Sequence, residues 1–376
     1  MDLRIAHVVR DHGGLTEPFI QHRLLASTAV PAAELWTERS VGPSPLVIRN
    51  IRLAGLSPGS PLDRVFHRIP WIGPPLAGAY AQAARAFEPS VVHAHYATTG
   101  YLVGAASRAP LIVNTYGFDV TVLARQRAWR AAYRALVRRL PVVVVEGPAM
   151  AARVIRLGFP ADRVVVIPIS AGLEKIDFGP HASDGPLRLV ACGRMVEKKG
   201  HDLAILAFSA AARGLPAGSE LRIIGDGPLR SRLQGLAARS ARAGQIRFLG
   251  SLPRPRYLDE LRRADLFLAP SRTASNGDGE GGAPTTILDA QAVGIPVVAS
   301  DHADIPFLIQ DGETGFLARE GDLPSLVAAI DRAIRATPDR PEMVRHTRAR
   351  MLARNGDAAV GRQLLELYER VAAAAR

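Results

Sequence analysis

The segment Leu187–Asp202, LRLVACGRMVEKKGHD, reads as a strand that stops at Cys192–Gly193 and turns toward a helix. Leu187–Cys192 is short and apolar, as in a parallel sheet covered on both faces. Ligands of such sheets bind just beyond the carboxyl ends of the strands. Here that position holds Arg194 and Lys199. The chain has 47 basic residues, of which only Lys175, Lys198 and Lys199 are lysines. Two lysines in one turn therefore stand out where arginine is the default cation. A diphosphate suits the pair: a guanidinium binds it bidentately and a compact ammonium acts as a point charge.

Outward from this segment the same rhythm recurs. Leu221–Gly225, Ile246–Leu249, Leu266–Pro270 and Pro296–Ser300 read as strands alternating with helical patterns. So do Arg4–Val9, Val91–Ala94, Leu111–Asn114, Val142–Glu146 and Val164–Pro168 in the first half. Two sets of βαβ units predict an α/β protein with two doubly wound parallel sheets, and 376 residues fit two domains. The seam falls in Ser170–Pro186, rich in Gly, Pro, Ser and Asp without periodicity. The expected layout is a first domain over 1–170, a linker over 171–186 and a second domain over 187–355. A last helix, 356–376, is a candidate to pack back on the first domain. Arg39–Pro75 is Pro-rich and irregular and receives no element.

A hydrophobic share of 48% with 22% charged residues excludes wholesale disorder. The mean hydropathy of +0.07 comes from scattered Ala and Val, and no run of about 18 uncharged apolar residues predicts a membrane span. The N-terminus MDLRIAHVVRDHGG alternates like a strand and lacks an apolar signal core. A single cysteine, Cys192, excludes a disulfide framework and a Cys-based zinc site. The expectation is a cytoplasmic protein. Net charge is +12, and the first half is the more basic. Without a nucleic-acid-binding signature, the charge points to an anionic substrate or anionic lipid rather than nucleic acid.

Other strand exits carry further candidates. Gly13-Gly14 after the first strand permits close backbone approach, or serves as a plain turn. His93 and His95 share one strand face; no third ligand follows at metal spacing, so no metal is expected. Of the two, His95 lies nearer the strand end and is expected to face the cleft, with His93 buried. Asn114, Tyr116 and Asp119 cluster around Gly117, with helix capping by Asp119 as the competing reading. The loop SRTASNGDGEGGAPTT, residues 271–286, is Gly-rich and acidic and enters a helix near Thr285–Ala292. Free N–H groups at Ala283–Thr286 form an anion site, and Glu280 and Asp289 are acceptors suited to sugar and ribose hydroxyls.

Together these motifs resemble the family 4 glycosyltransferases, retaining enzymes of the GT-B fold with two facing Rossmann-like domains and a cleft between them. GRMVEKKGHD is similar to that family's GRLxxKKG segment, and LRIIGDGPLRSRL to its IxGxGP turn. IRFLGSLPRPRYLDELRRADLFLAPS resembles its FxG…ADxxxxPS stretch, and EGGAPTTILDAQAVGIPVVASDHADIP its Glu-x7-Glu segment followed by GxPVVAT. VVHAHYATTG and NTYGFDVT are similar to VxHAH and HGxD. The resemblance implies that Arg194 and Lys199 bind the donor diphosphate and that Glu280 contacts the donor sugar. Asp289 would meet the ribose, and Phe248–Ser251, with Leu249, would lie near the base. Gly13, Gly14, Gly193, Gly225, Gly281, Gly282, Ala283, Pro284 and Thr285 would line the donor site, and His95, Tyr116 and Asp119 the acceptor or sugar side.

Neither a metal nor a cofactor is implied beyond the nucleotide-sugar co-substrate. The acceptor would be a glycan, a lipid-linked saccharide or a small natural product. The rivals are a nucleotide-sugar epimerase, which should show more acids and histidines around the sugar, and a non-catalytic nucleotide-sugar-binding partner. Two departures stand out. Eight residues rather than seven separate Glu280 from the second acid, which is Asp289 rather than Glu. Tyr116 also replaces a frequent histidine, and a phenol of pKa about 10 is no base at neutral pH.

Arg127, Arg130, Arg134 and Arg138 recur at spacings of three and four within Arg125–Leu140, and no acid lies between Val120 and Val145. Trp129, Tyr133, Leu136, Val137 and Leu140 form a neighbouring apolar face. This predicts peripheral docking on an anionic membrane, at the inner face of the cell membrane. An ordinary helix with its aromatics in the core is the competing reading.

Overall fold

Leu111–Asn114 (β5), Val142–Val145 (β6), Leu266–Ala269 (β11) and Val297–Ser300 (β12) are buried at every position, as strands covered on both faces must be. They belong to two sheets in a computed structural model. It describes residues 3–12, 20, 23–24, 30, 32–40, 43–140, 142–179, 185–211, 214–336 and 340–375. The first sheet adds Arg4–His12 (β1), Ala32–Ser40 (β2), Val47–Asn50 (β3), Val91–His95 (β4) and Val164–Val166 (β7). The second adds Arg188–Cys192 (β8), Glu220–Ile224 (β9), Ile246–Gly250 (β10) and Phe316–Ala318 (β13). Their orders are β3-β2-β1-β4-β5-β6-β7 and β10-β9-β8-β11-β12-β13. All named strand pairings are parallel. The order reverses between β1 and β4 and between β8 and β11, the switch points where doubly wound sheets bind ligands.

Residues 1–171 with 355–376 form one unit and residues 172–354 the other. From Gly172 onward the segment expected as a linker belongs to the second unit. Leu173 and Ile176 are buried there, and Phe178 packs where a side chain on Gly294 would stand. These apolar residues cover the helix Thr285–Val293 instead of spanning solvent. The helix Asp357–Ala374 packs Val360, Leu364, Leu367, Tyr368 and Val371 against Ile5, Val91, Ile112 and Val142 of the first sheet. Burying each leucine contributes about 1.5–3 kcal/mol.

Three strands lie outside the sequence expectation: β2, β3 and β13. β2 reads as polar because Glu34, Glu38 and Arg39 interrupt it, yet Leu35 and Trp36 are fully buried. Its acids are locally matched: Glu34 pairs with Arg49 at 2.6 Å and Glu38 with Arg10 at 2.9 Å.

The helix Arg127–Val137 corrects the docking expectation in one half. Trp129, Tyr133, Leu136 and Leu140 lie in the core of the first unit, so they form no membrane-inserting face. Arg127, Arg130, Arg134 and Arg138 are all exposed. Among the described residues, no helix is long and apolar enough to cross a membrane.

Candidate active site

The second unit gathers its polar candidates at the carboxyl ends of β8, β9 and β11. Gly225, after β9, has φ 126°, and a Cβ there would collide with the Gly193 carbonyl oxygen. Only glycine lets the two strand exits approach this closely. Beside them, Leu249 is bulged out of register near the end of β10, a device that re-aims residues at strand rims. Arg194 is exposed and makes no ion pair among the described residues.

Lys199 reaches the loop after β11. Its Nζ lies 2.9 Å and 3.1 Å from the two carboxylate oxygens of Glu280. Ser271 Oγ donates to Glu280 Oε1 at 2.8 Å. Lys198 holds the preceding residues, pairing with Asp278 at 3.1 Å and donating to the Gly279 carbonyl at 3.0 Å. Burial pushes the Glu280 carboxyl up, but Lys199, Lys198 and Ser271 outweigh it and hold it below the usual carboxylate range. Both lysines therefore clamp the loop that carries the candidate sugar-contacting acid.

That loop, with Gly281, Gly282 and Ala283, leads into the helix Thr285–Val293, which starts after Pro284 without a side-chain cap. Asp289 is buried on this helix. It accepts from Arg254 Nη2 at 2.9 Å and Nη1 at 3.4 Å, a partner that sequence spacing did not suggest. Burial and the Asp289 charge push the Cys192 thiol up to about 12, so it is no thiolate nucleophile at neutral pH.

In the first unit, two expectations change. His95 does not face open solvent; His93 and His95 are both fully buried, their rings stacked with centroids 4.8 Å apart. The third member of the cluster is His7 of β1, whose Nδ1 lies 3.3 Å from His95 Nε2. Their ligand atoms fall within 4.8 Å of one another. The surroundings oppose a cation, because burial and the Arg23 guanidinium lower His7 to about 3. Burial likewise lowers His93 and His95. Tyr368 Oη sits 2.8 Å from His93 Nδ1 and Tyr116 Oη 2.6 Å from His95 Nδ1. The stack is neutral and hydrogen-bonded, with no carboxylate in the cluster.

Asp119 is the second change. Its carboxylate is buried and accepts from the backbone N–H of Ala97 at 2.9 Å, Gly117 at 3.1 Å and Tyr116 at 3.3 Å. It fastens the loop after β5 to the start of the helix Ala97–Val103, which is the capping reading. Tyr116 remains half-buried at the strand exits. Gly13 and Gly14 lie outside the described residues.

Comparison with known proteins now adds to this geometry. Residues 186–336 match the family described as glycosyl transferases group 1, and residues 13–170 match the glycosyl transferase 4-like domain. The chain belongs to the group 1 glycosyl transferases. It is 36% identical over 226 residues to the amylovoran biosynthesis glycosyltransferase AmsK of Erwinia amylovora, covering 58% of this chain and 54% of AmsK. It is 28% identical over 304 residues to WcaL of Salmonella typhimurium, named for colanic acid biosynthesis, covering 79% and 74%. Anabaena HepE in complex with UDP shares the fold at TM-score 0.76 and 18% identity, over 98% of this chain and 100% of HepE. The chain spans about half the length of AmsK, and its fold is GT-B. Within its second unit, Arg194, Lys199, Glu280 and Asp289 all follow or flank strand exits. Sequence reasoning passed over Ser271, Arg254 and His302, although Ser271 and His302 also sit just beyond strands.

Proposed function

We propose that this glycosyltransferase moves a sugar from a nucleotide-diphosphate sugar to a hydroxyl of a saccharide acceptor, with retention and without a metal. The observation that carries the reading is the Lys199–Glu280 pair at the switch point of the second sheet, with exposed Arg194, which makes no ion pair among the described residues, following the same strand. Arg194 and Lys199 bind the diphosphate, and Glu280 contacts the sugar. The bond between the anomeric carbon and the diphosphate oxygen breaks as the acceptor oxygen bonds to the same face. The departing oxygen takes the acceptor proton. Positive charge comes from Arg194, Lys199 and the first turn of Thr285–Val293, in place of a metal.

The names of AmsK and WcaL, for amylovoran and colanic acid biosynthesis, support a reading in polysaccharide assembly, and we assign a lipid-linked saccharide as the acceptor. Incubation with UDP-, GDP-, ADP- and dTDP-sugars and such an acceptor tests the proposal; no transfer with any donor refutes it. Asp289 is assigned to the ribose. Asp289→Ala should weaken nucleotide binding by about 1.5–3 kcal/mol, the worth of a charged hydrogen bond. Calorimetric titration with the accepted nucleotide checks this, and unchanged affinity removes Asp289 from that role.

Contact with the membrane is assigned to the exposed arginine row of Arg127–Val137. Ile69 and Trp71, each 49% exposed, lie on or beside the short turn Pro70–Ile72 packed against that helix. Each cation near an anionic surface contributes about 1 kcal/mol. Replacing Arg127, Arg130, Arg134 and Arg138 with glutamine should abolish co-sedimentation with phosphatidylglycerol vesicles at low salt. Undiminished recovery would overturn the contact.

A further inference from the structure

Glu280 lies in a loop whose internal bonds, Ala274 N–H to the Asp278 carbonyl and Gly277 N–H to the Ala274 carbonyl, both at 2.7 Å, stop short of it. No helix or strand forms between β11 and Thr285, and Gly277, Gly279, Gly281 and Gly282 interrupt the stretch. Ordering such backbone costs about 1–2 kcal/mol per residue. The lysine clamps act on side chains and on the Gly279 carbonyl. Something else must fix the Glu280 backbone.

That group is His302, just beyond β12. The Glu280 backbone N–H donates to His302 Nε2 at 3.0 Å. A backbone amide only donates, so Nε2 is unprotonated and the ring proton sits on Nδ1. Nδ1 in turn lies 2.9 Å from Glu320 Oε2, to which it donates. Glu320 Oε1 accepts from the Thr273 backbone N–H at 2.6 Å. Its own N–H donates to Asp301 Oδ1 at 2.6 Å. One imidazole and one carboxylate thus tie both ends of the loop to the exits of β12 and β13. The ring is buried and lies against Gly279, where a Cβ would stand 3.1 Å from it.

We propose that His302 and Glu320 form a positioning dyad for Glu280, setting where its carboxylate meets the donor sugar. The role rests on the assignment of Glu280 as the sugar-contacting acid. His302 uses both ring nitrogens on the protein, so it is a positioning residue.

Four variants test this: His302→Leu, His302→Gln, Glu320→Ala and the double variant His302→Leu/Glu320→Ala. Leucine fills space without accepting; the glutamine amide oxygen can still accept from Glu280. Hydrogen exchange on the ligand-free protein should show faster exchange across residues 273–282 in His302→Leu and Glu320→Ala. His302→Gln should retain much of the protection. Unchanged exchange in His302→Leu overturns the strap, whether or not any donor is turned over. In transfer assays His302→Leu should lower kcat by about 10- to 100-fold, the scale of a small misplacement of a catalytic group. Affinity for UDP or GDP, whichever the wild type binds, should stay within about twofold. The double variant should be no slower than His302→Leu. Full kcat with a loosened loop, or equal losses in kcat and nucleotide affinity, would overturn the positioning role. Absence of transfer by the wild type would instead refute the proposed function and leave the exchange result to decide the strap.

Discussion

Lys199→Ala is expected to lower sugar transfer by about 10²–10³-fold, the cost of losing one preorganised charge at a developing anion. The same change has a second consequence. Glu280 is 7% exposed, and burial alone raises its carboxyl. Without Lys199, Ser271 is its remaining direct side-chain partner among the described residues. Breaking one side of a buried pair destabilises by about 3–5 kcal/mol, less here because Lys198 still acts on Glu280 at longer range. Glu280→Gln in the same background removes the orphaned charge. The double variant should therefore melt higher than Lys199→Ala and be no more active. Arg194→Ala gives the contrast: Arg194 is exposed and makes no ion pair among the described residues, so transfer should fall with no loss of melting temperature. Initial rates and thermal melts on the four proteins settle both points. Normal turnover in Lys199→Ala would remove the diphosphate assignment.

The contrast between Lys199 and Arg194 shows what a sequence reveals about a site. Both were legible because a parallel strand announces its end: apolar residues stop, glycine follows, and polar residues beyond it have few structural reasons to be there. Glu280 was legible for the same reason. Its partner Lys199 was also visible, but 81 residues away in sequence, and no periodicity states that the two meet. Arg254 and Asp289 are separated by 35 residues on two helices, which hides their pairing equally well. In sequence, Asp289 stands out only as a departure from the family's spacing and from its second Glu. In the folded unit Asp289 is instead a buried acid with its own cation.

The fold shows the same division. Strands covered on both faces are continuous apolar runs and were readable. β2 was not, because its charged side chains pair with Arg10 and Arg49 across strands rather than facing water. β3 is an edge strand with Val47 70% exposed, so its pattern carries little hydrophobic signal. His7 escaped for a related reason. A histidine in an apolar first strand looks like a solitary core residue until β1 pairs with β4 in register, His7 beside His93.

The histidine stack in turn predicts acid instability of the first unit. Burial lowers His7, His93 and His95 below their ordinary range, His7 to about 3. The unfolded chain takes up protons near pH 6.5, while the folded chain refuses them. Stability is therefore complete above about pH 6.5 and is lost as pH falls toward the folded-state values, at about 1.4 kcal/mol per pH unit for each such group. Between pH 6.5 and 4.5 His7 alone accounts for roughly 2–3 kcal/mol, a large part of the 5–15 kcal/mol typical of a domain. Protonation would also place cations among rings whose centroids are 4.8–5.5 Å apart, next to buried Arg23. In the second unit His201, lowered to about 4 by burial, acts in the same direction but alone. Melting followed from pH 7.5 to 4.5 should fall steeply below pH 6.5. Hydrogen exchange at the lower end should open β1, β4 and the helix Asp357–Ala374 before the second sheet. His7→Leu should flatten the pH dependence by about one proton. A melting temperature that stays level down to pH 5 would show that the stack tolerates charge, and the neutral, hydrogen-bonded assignment would fall with it.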